Sequence, residues 1–186
     1  MSENLLRFIR AYGHEMMNHL AVISGYVQLN KPECIPAYIR QVSAQIKTIN
    51  AAAKIANPEA AAAILGFYQH CLRYRVPFVL DIRTNFAACM VQEETLASAL
   101  EEVFNLAGGL VVPLEGTSRT VKIVVDAADG AYLLQLEIPN TGSEHPLTGE
   151  WFRSAGDRMQ LCGGRVDFRI AEDHAVLSVS LPRQEE

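Results

Sequence analysis

The stretch RAYGHEMMNHLAVISGYVQLNKPE, residues 10–33, decides how the N-terminal part of this chain folds. Its apolar residues recur every three or four positions, and the spacing extends back to Leu5, so the pattern predicts one amphipathic helix over residues 4–29. The predicted apolar stripe contains Leu5, Ile9, Tyr12, Met16, Leu20, Ile23 and Val27. Asn30-Lys31-Pro32 ends the helix, because proline cannot continue it.

A second helix follows this turn and is entered through Pro36. Its apolar residues repeat in a strict heptad pattern, which is typical of helices that pack at a shallow angle. The pattern runs through Ile35, Ile39, Val42, Ile46, Ile49, Ala53 and Ala56. Two such helices make a hairpin that cannot bury its apolar stripes alone. We therefore expect a second copy to pair with it, giving a four-helix bundle in a homodimer.

The pattern changes after Asn57-Pro58, which breaks the second helix. Residues 59–74 read as a buried helix, and two more helices are predicted at 93–107 and 151–162, each ended by a pair of glycines. The predicted strands are PFVLDIR, VKIVVDA, AYLLQLEI, RVDFRIA and AVLSVSL, with a loop at 140–149. The order predicts an α+β chain, with a helical hairpin domain at 1–57 and an α/β sandwich at 58–186 whose mixed sheet is mainly antiparallel.

Composition excludes several classes of protein. The net charge is −5 and the basic residues are scattered, so we expect no general binding of nucleic acid, which needs a concentrated basic face. The N-terminus lacks the apolar run of a signal peptide, and no stretch has the roughly 18 consecutive apolar residues of a membrane span. The four cysteines are far apart, as is typical of reduced core thiols. These features predict a cytoplasmic protein without a metal site.

His14 is the candidate for chemistry. At about 100° per residue, His14 falls about 180° from Leu5 and Asn18 about 220°, so both point away from the apolar stripe. A neutral imidazole on a helix surface is nucleophilic at cytoplasmic pH and can carry a phosphoryl group. Glu15 would hold the ring tautomer or take its proton, and Asn18, one turn later, would orient a water or a phosphoryl oxygen.

The same outer face carries residues that suit the approach of a partner. It includes Arg7, Ala21 and Gly25. Small side chains below a histidine leave room for another protein to come close. The alternative is a solvated helix surface that happens to include a histidine.

This stretch resembles the phosphoacceptor region of the sporulation initiation phosphotransferase type of sensor kinase. The residues that carry the resemblance are Arg10, His14-Glu15, Asn18, Leu20, Ile23, Gly25 and Leu29. The His-Glu-x-x-Asn pattern is also similar to the general histidine-kinase acceptor motif, in which the acidic residue assists phosphorylation and the Asn assists dephosphorylation of the partner. The resemblance adds Arg10 to Arg7, Ala21 and Gly25 as predicted docking residues.

The segment AKIANPEAAAAILGFYQHCLRYRVPFVLDI resembles that family's passage into its ATPase-like domain, which implies a histidine-kinase-like ATPase fold for residues 58–186. In active kinases of the superfamily the helix equivalent to 93–107 carries an Asn that holds magnesium, whereas Val103 stands nearest to that position here. The adenine-binding Asp-x-Gly-x-Gly loop corresponds to PNTGSE, where Asn140 replaces the Asp and Glu144 replaces the second Gly. The Gly-rich lid has shrunk to GEWFRSAGDRMQL. Without a glycine cradle a triphosphate has little to bind, so we expect no ATP binding.

Three hypotheses of function follow. The favoured one is a histidine phosphotransferase in a two-component phosphorelay, which moves a phosphoryl group between response-regulator aspartates through His14. Such an acceptor without a nucleotide site must be loaded by another protein, and the Mg²⁺ would come with the acidic pocket of the response-regulator receiver domain. The alternatives are an ATP-dependent sensor histidine kinase and a non-catalytic dimeric scaffold that binds a response regulator. Sporulation is the pathway that the resemblance implies.

The remaining polar and aromatic residues are predicted to have structural roles. His19 is expected at the bundle edge rather than as a second acceptor. Glu101-Glu102 is expected to be a solvated helix face, with a vestigial metal site as the alternative. His70, His145 and His174 lie in no motif and are expected in surface or core roles, and Trp151 is expected to anchor its short helix in the core.

Overall fold

The computed structural model describes residues 3–115, 119–128, 130–139, 150–171 and 173–184, without the side chains of residues 3–5, 7–8 and 150–152. The helices are α1 Glu3–Gln28, α2 Ile35–Ala52, α3 Pro58–Arg73, α4 Glu93–Val111 and α5 Glu150–Leu161. The strands are β1 Phe78–Ile82, β2 Val121–Ala128, β3 Ala131–Pro139, β4 Arg165–Ile170 and β5 His174–Pro182. The predicted α+β architecture is confirmed. The predicted loop at 140–149, with His145, and the side chain of Trp151 lie outside the described residues.

The turn between α1 and α2 forms as the sequence predicts. Asn30 adopts a φ of 52°, in the left-handed region that asparagine tolerates better than most residues. The N–H of Lys31 donates to the carbonyl of Tyr26 at 2.9 Å, which closes the end of α1. A short 3₁₀ turn at Pro32–Cys34 then leads into α2. The two helices therefore form an antiparallel hairpin.

The end of α2 differs from the prediction. The helix stops at Ala52, so Ala53 and Ala56 lie beyond it instead of continuing its heptad pattern. The chain leaves the helix because Ile55 is buried in the core of the α/β domain. The N–H of Ala56 donates to the carbonyl of Asn85 at 2.7 Å, which fixes the new direction of the backbone.

α3 packs into the core of the α/β domain. The Asn57 side chain caps the helix by accepting the N–H of Ala60 at 2.8 Å, and Pro58 occupies the first helical position. On the buried face of α3, the ring of Phe67 stacks on Phe104 of α4 with centroids 5.1 Å apart. The pairing of aromatic rings and the alanine-rich sequence of α3 hold the two helices side by side.

The five strands form one sheet in the order β1-β2-β3-β5-β4. β1 and β2 are parallel, and every other neighbouring pair is antiparallel, so the predicted mixed, mainly antiparallel sheet is confirmed. Val121, Ile123 and Val125 of β2 are fully buried in the same cluster as the apolar faces of α3 and α4. The polar residues that alternate with them, such as Lys122 and Asp126, are partly exposed on the other face.

α4 is the central helix of the domain and continues further than predicted. It runs through Gly108-Gly109 to Val111, so these glycines do not cap it. Gly108 is needed for packing, since a Cβ there would lie 3.2 Å from Nε2 of His70. The segment Glu93–Leu114 is long and apolar enough to pass as a membrane span by composition. In this fold its apolar residues, including the fully buried Leu96, Leu100 and Val103, pack against the sheet and α3.

Candidate functional site

An aromatic seam sets the rotation of α1 about its own axis. Tyr12, His19 and Tyr26 recur every seven residues, and all three are buried or half-buried. Nδ1 of His19 and the hydroxyl of Tyr38 in α2 lie within hydrogen-bond distance, 2.8 Å apart. The rings of His19 and Tyr26 both meet Tyr38 edge-on, with centroid distances of 5.7 and 6.0 Å. These contacts hold one defined face of α1 against α2.

The predicted apolar stripe of α1 is divided by this arrangement. Tyr12, Met16 and Ile23 are half-buried within the chain. In contrast, the side chains on the other edge of the stripe are largely exposed. They are Ile9 at 51%, Leu20 at 61% and Val27 at 63%. The hairpin therefore buries only one side of the stripe within this chain.

His14 lies on the outer face of α1, as the helical spacing predicts. Its ring is exposed, and it makes no hydrogen bond or ion pair within the described part of the chain. Asn18 is also exposed and lies one turn further along the same face. The two side chains are thus accessible together to a second macromolecule.

Glu15 faces inward, away from His14. The two side chains leave the helix about 100° apart, and no hydrogen bond joins them among the described residues. Glu15 is half-buried, and its charge acts on tyrosines of both α2 and α3. Burial is the main cause of the raised pKa of Tyr68 in α3, and the charge of Glu15 adds to it. The pKa of Tyr38 is raised by burial, by Tyr26 and then by Glu15.

The predicted docking residues surround His14 on the same helix. Arg10 and Ala21 are exposed, and the side chain of Arg7 lies outside the described residues. Gly25 is half-exposed, and a Cβ placed on it would meet nothing within 4 Å. A helical glycine without a packing reason costs about 0.5–1 kcal/mol relative to alanine. Among the described residues no packing contact accounts for Gly25.

His19 is buried in the hairpin instead of lying at its edge. The residue is 8% exposed, and its Nε2 has no hydrogen-bond partner among the described residues. A partner protein cannot reach this ring without opening the α1–α2 interface. The seven-residue spacing of Tyr12, His19 and Tyr26 is the sequence signal that identifies the seam.

Glu101 and Glu102 differ in their surroundings. Glu101 is exposed, as predicted, whereas the Glu102 carboxylate forms an ion pair with Arg158 and accepts a hydrogen bond from Ser154. Both of these partners belong to α5, so Glu102 is not a solvated surface residue. This polar cluster ties α4 to α5. No group of three His, Cys, Asp or Glu side chains able to hold a metal occurs among the described residues.

The cysteines are free thiols, and none of them lies near His14 in the sequence. Cys71 is fully buried, and burial raises its pKa to about 12. Burial also raises the pKa of Cys89 and Cys162. These three thiols therefore stay protonated at neutral pH and are poor nucleophiles. His14 is the better candidate for chemistry.

Comparison with known proteins gives a family match for the N-terminal part of the chain and a fold match to solved structures. Residues 1–55 match the family described as the alpha-helical domain of SpoOB-type sensor kinases. Among curated proteins, none matches the sequence significantly.

Several solved histidine kinase structures share the fold. A nucleotide-free form of the catalytic domain of histidine kinase ThkA superposes with a TM-score of 0.53 at 11% identity, over 69% of this chain and 95% of that one. Histidine kinase AdeS of Acinetobacter baumannii gives 0.50 at 11% identity, over 92% and 98%.

ThkA in complex with the response regulator TrrA gives a TM-score of 0.52 at 13% identity, over 96% of this chain and 61% of the ThkA chain. Identities this low establish the fold alone. Residues 1–55 are thus similar to the alpha-helical domain of SpoOB-type sensor kinases, and the chain shares its fold with histidine kinase structures.

Proposed function

We propose that this protein is a histidine phosphotransferase of a two-component phosphorelay, with His14 as the residue that carries the phosphoryl group. The observation that carries the proposal is the exposed imidazole of His14 on the outer face of a SpoOB-type hairpin. The cytoplasm as its location and sporulation as its pathway remain predictions from the sequence.

The reaction at His14 is a reversible exchange with an aspartyl phosphate. A nitrogen of the neutral ring attacks phosphorus, an N–P bond forms, and the P–O bond to the aspartate breaks. The aspartate leaves as a carboxylate, and the second ring nitrogen keeps its hydrogen. The reverse reaction passes the group to another aspartate. The exposed position of Asn18 suits a role in orienting a phosphoryl oxygen or a water.

Two features favour a protein donor over ATP. The loop at 139–144 has Asn140 and Glu144 in place of the Asp and the second Gly of active kinases, and the Gly-rich lid that covers nucleotide phosphates has shrunk. The Mg²⁺ that neutralises the transferring group would then come with the acidic pocket of the receiver domain.

Response-regulator receiver domains are the proposed partners. The fold relative ThkA is solved in complex with the response regulator TrrA, which supports this class of partner. The docking surface would comprise Arg7, Arg10, Ala21 and Gly25 around His14. In the proposed mechanism, docking supplies most of the catalysis by positioning the aspartyl phosphate against the ring.

Homodimerisation is the second part of the proposal. The exposed apolar side chains Ile9, Leu20 and Val27 recur at helical spacing on one side of α1. They lie about 120–140° around the helix from His14, so a second copy can cover them while His14 stays accessible. The resulting assembly is the four-helix bundle that the sequence predicts.

An ATP-dependent histidine kinase is the alternative that the catalytic-domain fold favours. A non-catalytic scaffold is a third possibility if His14 carries no phosphoryl group. These alternatives differ in the source of the phosphoryl group, which a labelling experiment separates.

The first prediction concerns that source. Purified protein is incubated with magnesium and either γ-labelled ATP or a labelled, phosphorylated receiver domain. We expect acid-labile, base-stable label from the receiver alone, because a docked aspartyl phosphate supplies both phosphoryl group and metal site. His14→Gln removes the nucleophile and should abolish labelling. Label transferred from ATP by the wild type supports the kinase instead, and no label from a panel of receivers supports the scaffold.

The second prediction uses Gly25 to test docking. Gly25→Ala adds a methyl group where the chain has open space, so stability should rise by up to about 1 kcal/mol through helix propensity. Transfer from the receiver should slow at least about tenfold, because the methyl group obstructs a close protein contact.

Gly109→Ala is the matched control, since Gly109 is an exposed glycine in the last turn of α4 with nothing within 4 Å of its Cβ position. It should raise stability similarly without slowing transfer. Equal transfer rates for Gly25→Ala and wild type would remove Gly25 from the docking surface.

The third prediction concerns the dimer. The wild type should sediment as a dimer at micromolar concentration, and Leu20→Gln should shift it towards monomer because a polar amide would enter the apolar interface. Leu161→Gln changes the same residue type at an exposed site on α5, 83% exposed, and should remain dimeric. A monomeric wild type, or a Leu20→Gln variant as dimeric as the control, contradicts this assignment.

A further inference from the structure

β4 is an outer strand of the sheet, with no strand beyond it among the described residues. All six of its residues pair with β5 in one unbroken antiparallel register, so the strand contains no bulge. Val166 and Phe168 pack against the core, whereas Ile170, at the end of the same row, is 50% exposed. An outer strand that is regular and ends in an exposed apolar residue is a template on which another strand can pair.

The pairing with β5 shows which backbone groups of β4 point outward. The N–H of Ala171 donates to the carbonyl of His174 at 2.8 Å, so the odd-numbered residues of this segment bond to β5. The N–H and C=O groups of Val166 and Ile170 therefore point to the outer edge of the sheet. For two antiparallel copies of β4, this allows only registers that place even-numbered residues opposite one another.

The charged residues of β4 decide between the allowed registers. Two registers, centred on Asp167 and on Phe168, pair all but one of the six residues of the strand, and every other register pairs at most half of them. The register centred on Asp167 sets this carboxylate against its own copy and Arg165 against Arg169. The register centred on Phe168 places Asp167 of each copy opposite Arg169 of the other. Because unlike charges on facing strands attract and like charges repel, only the second register is favourable.

The favourable register also uses the exposed groups of β4. Val166 lies opposite Ile170 of the other copy, where the two residues can exchange backbone hydrogen bonds and Ile170 is covered. Asp167 and Arg169 already form an ion pair along their own strand, with side chains 50% and 81% exposed. An ion pair this exposed adds little to the stability of one chain. In the paired strands each carboxylate faces a second guanidinium, at the shorter Cα separation of a non-hydrogen-bonded pair, about 4.5 Å.

α5, which packs on β4, leaves space beside it for a neighbouring copy. Ser154 and Arg158 of α5 both contact Glu102 of α4. Gly156 lies about 160° around the helix from each of them, on the side of α5 away from α4. A Cβ on Gly156 would meet nothing within 4 Å. Gly156 therefore adds no side chain to the space that α5 of a second copy would enter.

We propose that β4 is an interface with a second copy of this chain, in which two β4 strands pair antiparallel about Phe168 and join two sheets into one. The occupant is a second copy because the strand is complementary to itself in this register. A contact of this length buries less than a standard protein interface, so we expect association at concentrations on the order of 0.1–1 mM. The contact involves no side chain of α1, and it would link the proposed bundle dimers into tetramers or longer assemblies.

Charge reversal tests the register by sedimentation velocity over that concentration range. The wild type should form assemblies larger than its micromolar species. Arg169→Asp and Asp167→Arg should each associate at least about tenfold more weakly, because like charges then face each other. An equimolar mixture of the two variants should regain the association of the wild type, since each variant supplies the charges that the other lacks.

Ile170→Pro tests the backbone pairing. Proline removes an N–H that points outward and none that bonds to β5, so the variant should fold and lose the association. Ile170→Val keeps the N–H and should associate like the wild type. Thermal unfolding confirms that each variant is folded.

Three results would each overturn the proposal. One is a wild type that keeps its micromolar size across the range, which would leave the edge of β4 to solvent or to a strand of another protein. The others are a mixture of charge variants no larger than either variant alone, and a folded Ile170→Pro variant that associates like Ile170→Val.

Discussion

The rotational setting of α1 is the constraint on which the rest of the structure depends. The close contact between His19 and Tyr38, 2.8 Å from nitrogen to oxygen, turns the aromatic seam of α1 towards α2. Glu15 then faces the tyrosines of α2 and α3, and His14 faces outward. A rotation by one residue, about 100°, would bring His14 towards the seam and remove its accessibility. One part-buried polar contact thus determines which imidazole a partner can reach.

The same rotational setting of α1 gives each of its three sides a different role. One side holds the hairpin together, a second leaves Ile9, Leu20 and Val27 uncovered, and the third presents His14 and Asn18. The proposed dimer and the proposed docking surface therefore do not compete for the same residues. The α/β domain contributes through α3, whose N-terminus is capped by Asn57 and which the Phe67–Phe104 stack holds against α4.

Much of this arrangement follows from the sequence, because helical spacing and strand patterns report burial directly. The hairpin, the sheet and the exposure of His14 were predictable in this way. The continuation of α4 through Gly108-Gly109 was not, because Gly108 leaves room for the distant ring of His70 instead of ending the helix. Likewise, the pairing of Glu102 with Arg158 joins residues far apart in the chain. The burial of His19 was not predicted, because helical spacing places this residue at the edge of the apolar stripe and its contact with Tyr38 lies on a different helix.

His14, and not the buried His19, is the proposed acceptor of the phosphoryl group. The most direct measurement is tandem mass spectrometry at neutral pH, on protein incubated with a phosphorylated receiver domain and magnesium in the absence of nucleotide. The account predicts one added phosphoryl group per chain, with fragment ions that place it on His14. A modification on His19 or on a residue outside α1 would contradict it.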